Sequence, residues 1–219
     1  MPWEGGSTLV IRSFERLPST QRWLTEAIRR GEVTEETAVI ALEQSDGVGS
    51  RENRWIGYPG NFFASIALKE EALPGDLPLP AASIYFAFLM KKVLMKDHPE
   101  LWVKWPNDLY LGKKKAGGVL TRRLKDFFIV GIGINLKKSE KNFASLETEL
   151  SPMILLDMYL KRLERLPKWK ELFREYRLEF EKSRGFSAQG NGESVPLENA
   201  QLMEDGSIVV NGERMVSLR

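Results

Sequence analysis

"VKWPNDLYLGKKKAGGVL" (103–120) alternates short apolar runs with groups that a buried sheet does not normally hold. Lys104 sits between Val103 and Trp105, an Asn107–Asp108 pair follows Pro106, and three lysines lead into a small-residue strand. The pattern predicts short strands over 101–105, 108–111, 116–122 and 127–134, the middle two joined by a tight Gly112–Lys113 turn. An ammonium amid apolar strand residues needs a partner, because burying it uncompensated is expensive. Asp108 or an anionic ligand could fill that role. Equally, Lys104 could snorkel at a sheet edge, with Lys113 to Lys115 forming a solvated turn.

Working outward, "TLVIRSF" (8–14), "TAVIAL" (37–42) and "NFFASIAL" (61–68) have strand composition. "LPSTQRWLTEAIRRG" offers Ser19 or Thr20 as N-cap and Gly31 as stop, which predicts a helix. The apolar stretch from about 80 to 96 reads as a largely buried helix, and 152–182 as helical with a break at Pro167. "EQSDGVGSRENRWIGYPG" (43–60) is expected to be a long loop, a length that is usually functional. After about 186 the composition changes, and Asn211-Gly212 is a hairpin signal. The fold expected is α+β: a mixed sheet with flanking helices over 1–185, plus a small C-terminal β module over 186–219.

Composition narrows the chemistry. In 219 residues there is no cysteine and one histidine, which removes a disulfide framework, a thiol nucleophile and a Cys/His zinc site. His98, in "KDHPEL", is expected to be a solvated helix-end residue. A net charge of +2 argues against a dedicated nucleic-acid surface. No apolar run approaches the roughly 20 residues needed to cross a bilayer, and no signal peptide is visible, so a cytoplasmic protein is expected. An enzyme with this residue set would work by positioning and electrostatics. "IVGIGINL" (129–136) lacks the third glycine and the helix of a dinucleotide fingerprint, and "LYLGKKK" is no phosphate-binding P-loop. The glycines of the former instead suit a strand that a ligand or backbone approaches closely.

"KWPNDLYLGKKKAGGVL" closely resembles the K-W-P-N-D-(L/I)-x5-K-x2-G-(I/V)-L signature of biotin protein ligases. Supporting segments follow in the family's order: "LPSTQRWL", "EQSDGVGSRENRW", "GNFFASIAL", "VGIGINL" and "ASLETEL", while the terminal "SLR" resembles the family's C-terminal module. The resemblance implies two steps: biotin carboxylate attacks the α-phosphorus of ATP, and a lysine amine of a biotin carboxyl carrier domain then displaces AMP. The carrier would belong to acetyl-CoA carboxylase or another biotin-dependent carboxylase.

By motif position the resemblance makes Lys115 the catalytic cation. It assigns biotin to Ser19, Thr20, Gln21, Gln44, Gly47, Gly49, Ser65, Gly118, Gly131 and Gly133. It assigns ATP and adenylate to Arg51, Arg54, Trp55, Asn107, Asp108 and Asn135. Asp108 could hold Mg²⁺ through water, orient Lys115, or be only a turn aspartate. Ser19 could equally be a helix cap, and Trp55 could simply cover core. Two family arginines are replaced by Val48 and Ser50, which predicts weaker retention of the adenylate unless Arg51 or Arg54 substitutes. About ten residues precede the first strand, so no DNA-binding domain and no repressor role is expected. Sheet edges could serve a homodimer or the carrier. Rival readings are a lipoate or octanoate transferase of the same superfold, and a non-catalytic biotin- or carrier-binding module.

Overall fold

The computed structural model describes residues 9–49, 54–190 and 193–216. Eight strands make one mixed sheet: β1 (Val10–Leu17), β2 (Thr37–Val48), β3 (Arg54–Gly57), β4 (Phe62–Lys69), β5 (Leu101–Lys104), β6 (Asp108–Leu111), β7 (Lys114–Leu124) and β8 (Phe127–Ile134). The order is β1-β2-β4-β8-β7-β6-β5, with β3 paired to β2. Only β1 and β2 run parallel; β4 to β8 form antiparallel ladders. The expected α+β class and mixed sheet are what the chain adopts.

Between β1 and β2 lies α1 (Thr20–Arg30). The Ser19 hydroxyl accepts the Arg22 amide at 3.3 Å. Gly31, at φ 76°, stops the helix in a left-handed turn that costs glycine little. Thr20, Leu24, Ala27 and Ile28 bury one stripe against β2, β4 and β8.

The opposite face carries the larger core. Here α2 (Ala82–Leu94) is buried nearly all round, pressed between the sheet and two further helices, α3 (Pro152–Leu163) and α4 (Trp169–Phe180). Tyr85 and Tyr159 satisfy their hydroxyls on the Pro167 and Phe86 carbonyls at 2.7 and 3.0 Å. Beyond α4, β9 (Ser187–Gly190) pairs with β10 (Glu193–Pro196). A second small sheet holds β11 (Gln201–Leu202), β12 (Ile208–Val210) and β13 (Glu213–Met215). Leu197, Ala200, Ile208 and Val210 join the α2 core, and the Trp105 indole donates to the Gly206 carbonyl at 2.9 Å.

Two local expectations change. The stretch 43–60 is not one long loop: β2 continues to Val48 and β3 returns along it, through a register shift between Gln44 and Gly47. Pairing with β3 lets a glycine- and serine-rich segment stay extended. His98 is not a solvated end. Its side chain is 14% exposed, and Nε2 is buried without a partner among the described residues. The turn is tied on both sides, His98 N–H to Leu94 and Leu101 N–H to the His98 carbonyl.

Strand alternation decides where a site can lie. Odd residues of β8 and even residues of β6 face away from α2, as do even residues of β7 from Gly118 onward; before that a bulge at Ala116 turns Ala116 into the core and puts Lys115, opposite Tyr110, on the outer face. α1 covers that face over β2 and over the Ala67 and Ile129 ends of β4 and β8, and its first turn borders Ser65. Over β7, β6 and β5 no helix among the described residues covers it. Ser65, Gly131, Gly133, Gly118, Asp108 and Lys104 all belong to this open face.

Candidate active site

The floor is a row of residues without side-chain bulk. Ser65 pairs with Gly131, and Gly133 pairs with Gly118, which pairs with Asp108. Side chains already rest on this floor. A Cβ on Gly133 would lie 2.9 Å from the Trp55 ring, and one on Gly131 would collide with the Gln21 amide. The cavity left between them is about 40 Å³. That is room for a few waters, whereas pockets that bury a small ligand run to roughly 300 Å³ and more. Entry of a bicyclic ligand therefore requires Trp55 and Gln21 to leave the floor.

One end of the cavity is neutral and polar. The Thr20 amide and hydroxyl both donate to Gln44 Oε1, at 2.8 and 3.0 Å. The Thr20 and Ser65 hydroxyls share a further bond at 2.9 Å. Ser19, Thr20, Gln44 and Ser65 are all buried. Ordinary helix capping brings Ser19 and Thr20 here, because α1 begins where β1 delivers the chain beside β2. With Oε1 committed to Thr20, the Gln44 amide group remains a donor for a ligand carbonyl.

The other end is charged. Lys115 Nζ meets Asp108 Oδ1 at 2.6 Å, both side chains largely buried. The Lys115 ammonium also stands 5.5 Å from the Trp55 ring centroid, a cation–π distance. Trp55 packs edge-on against Phe143 at 6.2 Å, and its Nε1 is buried without a partner among the described residues. Asn107 is pinned to β7 by its Nδ2 bond to the Val119 carbonyl at 2.6 Å. Burial lowers the Lys104 pKa from its ordinary value; Asp108 pulls it back up and Lys115 opposes that.

Most residues named from the sequence converge. Ser19, Thr20, Gln21, Gln44, Gly49, Trp55, Ser65, Asn107, Lys115, Gly118, Gly131 and Gly133 line the cavity. Gly47 lies beside it, where a Cβ would collide with the Trp55 carbonyl and the Gln44 amide. Asn135 does not line it. The Asn135 amide donates to the Ala144 carbonyl at 3.1 Å, and its oxygen accepts from Asn61 at 3.4 Å. Asn135 thus anchors the segment that carries Phe143. Arg51, Arg219 and the Arg54 side chain lie outside the described residues. Phe143 and Asn61 were not anticipated. Asn61 is fully buried and bonds the Lys137 and Lys138 amides and the Lys138 carbonyl. A lone asparagine opening a strand gives no sequence signal for that.

The donor set does not fit a resident Mg²⁺. Asp108 is already neutralised by Lys115, and no group of three acidic or histidine side chains clusters among the described residues. A magnesium ion entering on nucleotide phosphates would belong to the substrate.

Residues 13–139 match the profile of the Biotin/lipoate A/B protein ligase family. A crystal structure of biotin acetyl coenzyme A carboxylase synthetase from Helicobacter pylori, with bound biotinylated ATP, is 39% identical. It superposes with a TM-score of 0.90, covering 95% of this chain and 100% of that one. A biotin protein ligase from Leishmania major, at 18% identity and a TM-score of 0.74, shares the fold over 91% of this chain and 93% of its own. The bifunctional ligase/repressor BirA of Escherichia coli is 32% identical over 140 residues, 61% of this chain and 41% of that protein. The chain spans about four-tenths of the length of the curated relatives it matches.

Proposed function

The chain belongs to the biotin/lipoate A/B protein ligase family, and from that premise we propose that it is a biotin–protein ligase. It activates biotin as biotinyl-5′-AMP and transfers it to a lysine of a biotin carboxyl carrier protein. The observation that carries this reading is one half-buried cation, Lys115, fixed beside a glycine floor whose far end is polar and neutral.

Each end matches part of the chemistry. In the first step a biotin carboxylate oxygen bonds to the α-phosphorus of ATP, and the bond to the β-phosphate oxygen breaks, releasing pyrophosphate. Two anions must meet, so the barrier is largely electrostatic, and a cation held in a partly dry site lowers it. Lys115 has three N–H donors; in the free site it gives one to Asp108, which holds the ammonium at the place where carboxylate and phosphate oxygens arrive. In the second step the carrier amine attacks the acyl carbon, loses a proton, and AMP departs with the C–O electrons. Neither step uses an enzyme nucleophile, which suits a chain without cysteine.

At the neutral end, Thr20, Gln44 and Ser65 hold the ureido ring, with Ser19 and Gln21 beside them. Gly118, Gly131 and Gly133 give the bicycle backbone-depth room. Trp55 gives up the floor and packs over the adenylate. Asn107 faces the nucleotide, and Gly47 and Gly49 let the β2–β3 hairpin approach it. Arg51 and Arg54 are the guanidiniums available to replace those absent at Val48 and Ser50. The test is biotin-dependent ATP–pyrophosphate exchange, native against Lys115→Ala, with folding checked by circular dichroism. Exchange that collapses in the folded variant supports the reading; no exchange in the native chain overturns it.

A further inference from the structure

Lys104 is 8% exposed, and its ammonium makes no hydrogen bond or ion pair among the described residues. Its neighbours are rings: Tyr110 at 5.5 Å and Phe186 at 6.0 Å, in a cluster that includes Trp102. Rings attract a cation but offer no oxygen to its three donors. For stability alone a methionine would serve better in such a place.

Register points to the reason. Lys104 and Asp108 are direct partners across β5 and β6, on the open face, closing the turn 105–107. Side chains opposed in this way have Cβ atoms within about 5.5 Å of each other. On its other side the same carboxylate binds Lys115 at 2.6 Å. Asp108 is therefore flanked by two lysines, of which it bonds one. The charged and titratable groups around Lys104 are Asp108 and Tyr110 on β6 and Lys115 on β7.

The charges explain why two cations are needed. In the free site Lys115 balances Asp108. When a carboxylate and an α-phosphate enter, one ammonium faces three anions. No arginine among the described residues lines the cavity. We propose that Lys104 is a positioning residue that takes over compensation of Asp108 once the Lys115 ammonium is drawn to the reacting anions. Lys115 is then free to act on carboxylate and phosphate without stranding a buried carboxylate. This rests on the adenylating reading above.

Two measurements test it. In biotin-dependent ATP–pyrophosphate exchange, Lys104→Met lowers kcat roughly tenfold, with the KM for biotin moving less than about twofold, and Lys104→Arg retains most of the rate. Asp108→Asn lowers exchange in the native background but raises it in the Lys104→Met background, because no anion is then left bare. A fall in both backgrounds overturns the proposal. The second measurement needs no activity. In the native background Lys104→Met raises Tm or leaves it unchanged; in Lys115→Met protein, where Asp108 has lost its first cation, the same substitution lowers Tm. A change of the same sign in both backgrounds overturns the proposal. Absence of exchange in the native chain would instead count against the ligase reading, and the Tm pair would still decide whether Lys104 compensates Asp108.

Discussion

The two ends of the cavity, separated by the glycines of β8 and β7, are built on opposite rules. At the Thr20 end every short polar group already has a bond: Thr20 donates twice to Gln44 and shares a third bond with Ser65. At the Lys115 end charge is left unbalanced, with two lysines around one carboxylate and one ammonium unbonded. The neutral end is thus rigid before any ligand arrives, and should set which ligand is accepted. The charged end holds its groups poised rather than satisfied, and should set the rate. A buried hydrogen bond nets only about 1 kcal/mol but costs about 1–3 kcal/mol when one partner is removed, so satisfied networks specify geometry. Preorganised charge in a partly dry site acts instead where charge develops during reaction.

The sharpest break of this contrast is Lys115→Ala. Loss of one preorganised electrostatic contact typically costs roughly 10²–10³ in kcat, and that is the fall expected in exchange, with biotin affinity by calorimetry little changed. An affinity loss as large as the rate loss would mean that the charged end also selects the ligand.

Next is Gly133→Ala. The new methyl meets the Trp55 ring at 2.9 Å, so the ring is displaced and the floor is raised. Biotin affinity should fall about tenfold or more with Tm shifting only slightly, since an intruding methyl is paid for chiefly by the ligand. Gly117→Ala is the control on the opposite face. Its Cβ would lie 2.8 Å from the Gly133 carbonyl, a backbone atom that cannot yield, so there the loss should appear in Tm.

Thr20→Val tests the neutral end. It removes the hydroxyl that bonds Gln44 and Ser65, and should cost about 1–3 kcal/mol of stability by denaturant unfolding. Biotin affinity should fall by roughly tenfold, with kcat at saturating biotin within about threefold of native. A larger fall in kcat than in affinity would erase the distinction between the ends.

The smallest effect belongs to Trp55→Phe. It keeps an aromatic face near Lys115 and deletes an indole N–H that is buried without a partner among the described residues. Removing an unsatisfied donor is close to neutral, so Tm should hold and biotin affinity should move less than about threefold. A drop beyond tenfold would show that the N–H finds its acceptor on the ligand.

Local chemistry made much of this legible. The apolar runs of strand composition at 61–68 and 127–134, the Ser19 cap and the Gly31 stop are short-range signals, and each element formed where they predicted. The 43–60 stretch misled because glycine and serine disfavour strands locally, while pairing between β2 and β3 supplies the missing hydrogen bonds. Asn135 misled in another way. An amide beside a glycine strand looks like a ligand contact, but the Ala144 carbonyl and Asn61, nine and seventy-four residues away, claim it first.

By itself the sequence determined the element types and the set of residues able to do the chemistry: one motif lysine, its aspartate, the floor glycines and the capping hydroxyls. Those follow from side-chain type and spacing, which are local properties. Only the tertiary structure decided that Gln44 meets Thr20, that Trp55 rests on Gly133, and that Asp108 stands between two lysines. Each of these joins residues through sheet register or a hairpin return, and a one-residue slip in either strand would send the side chains to the other face.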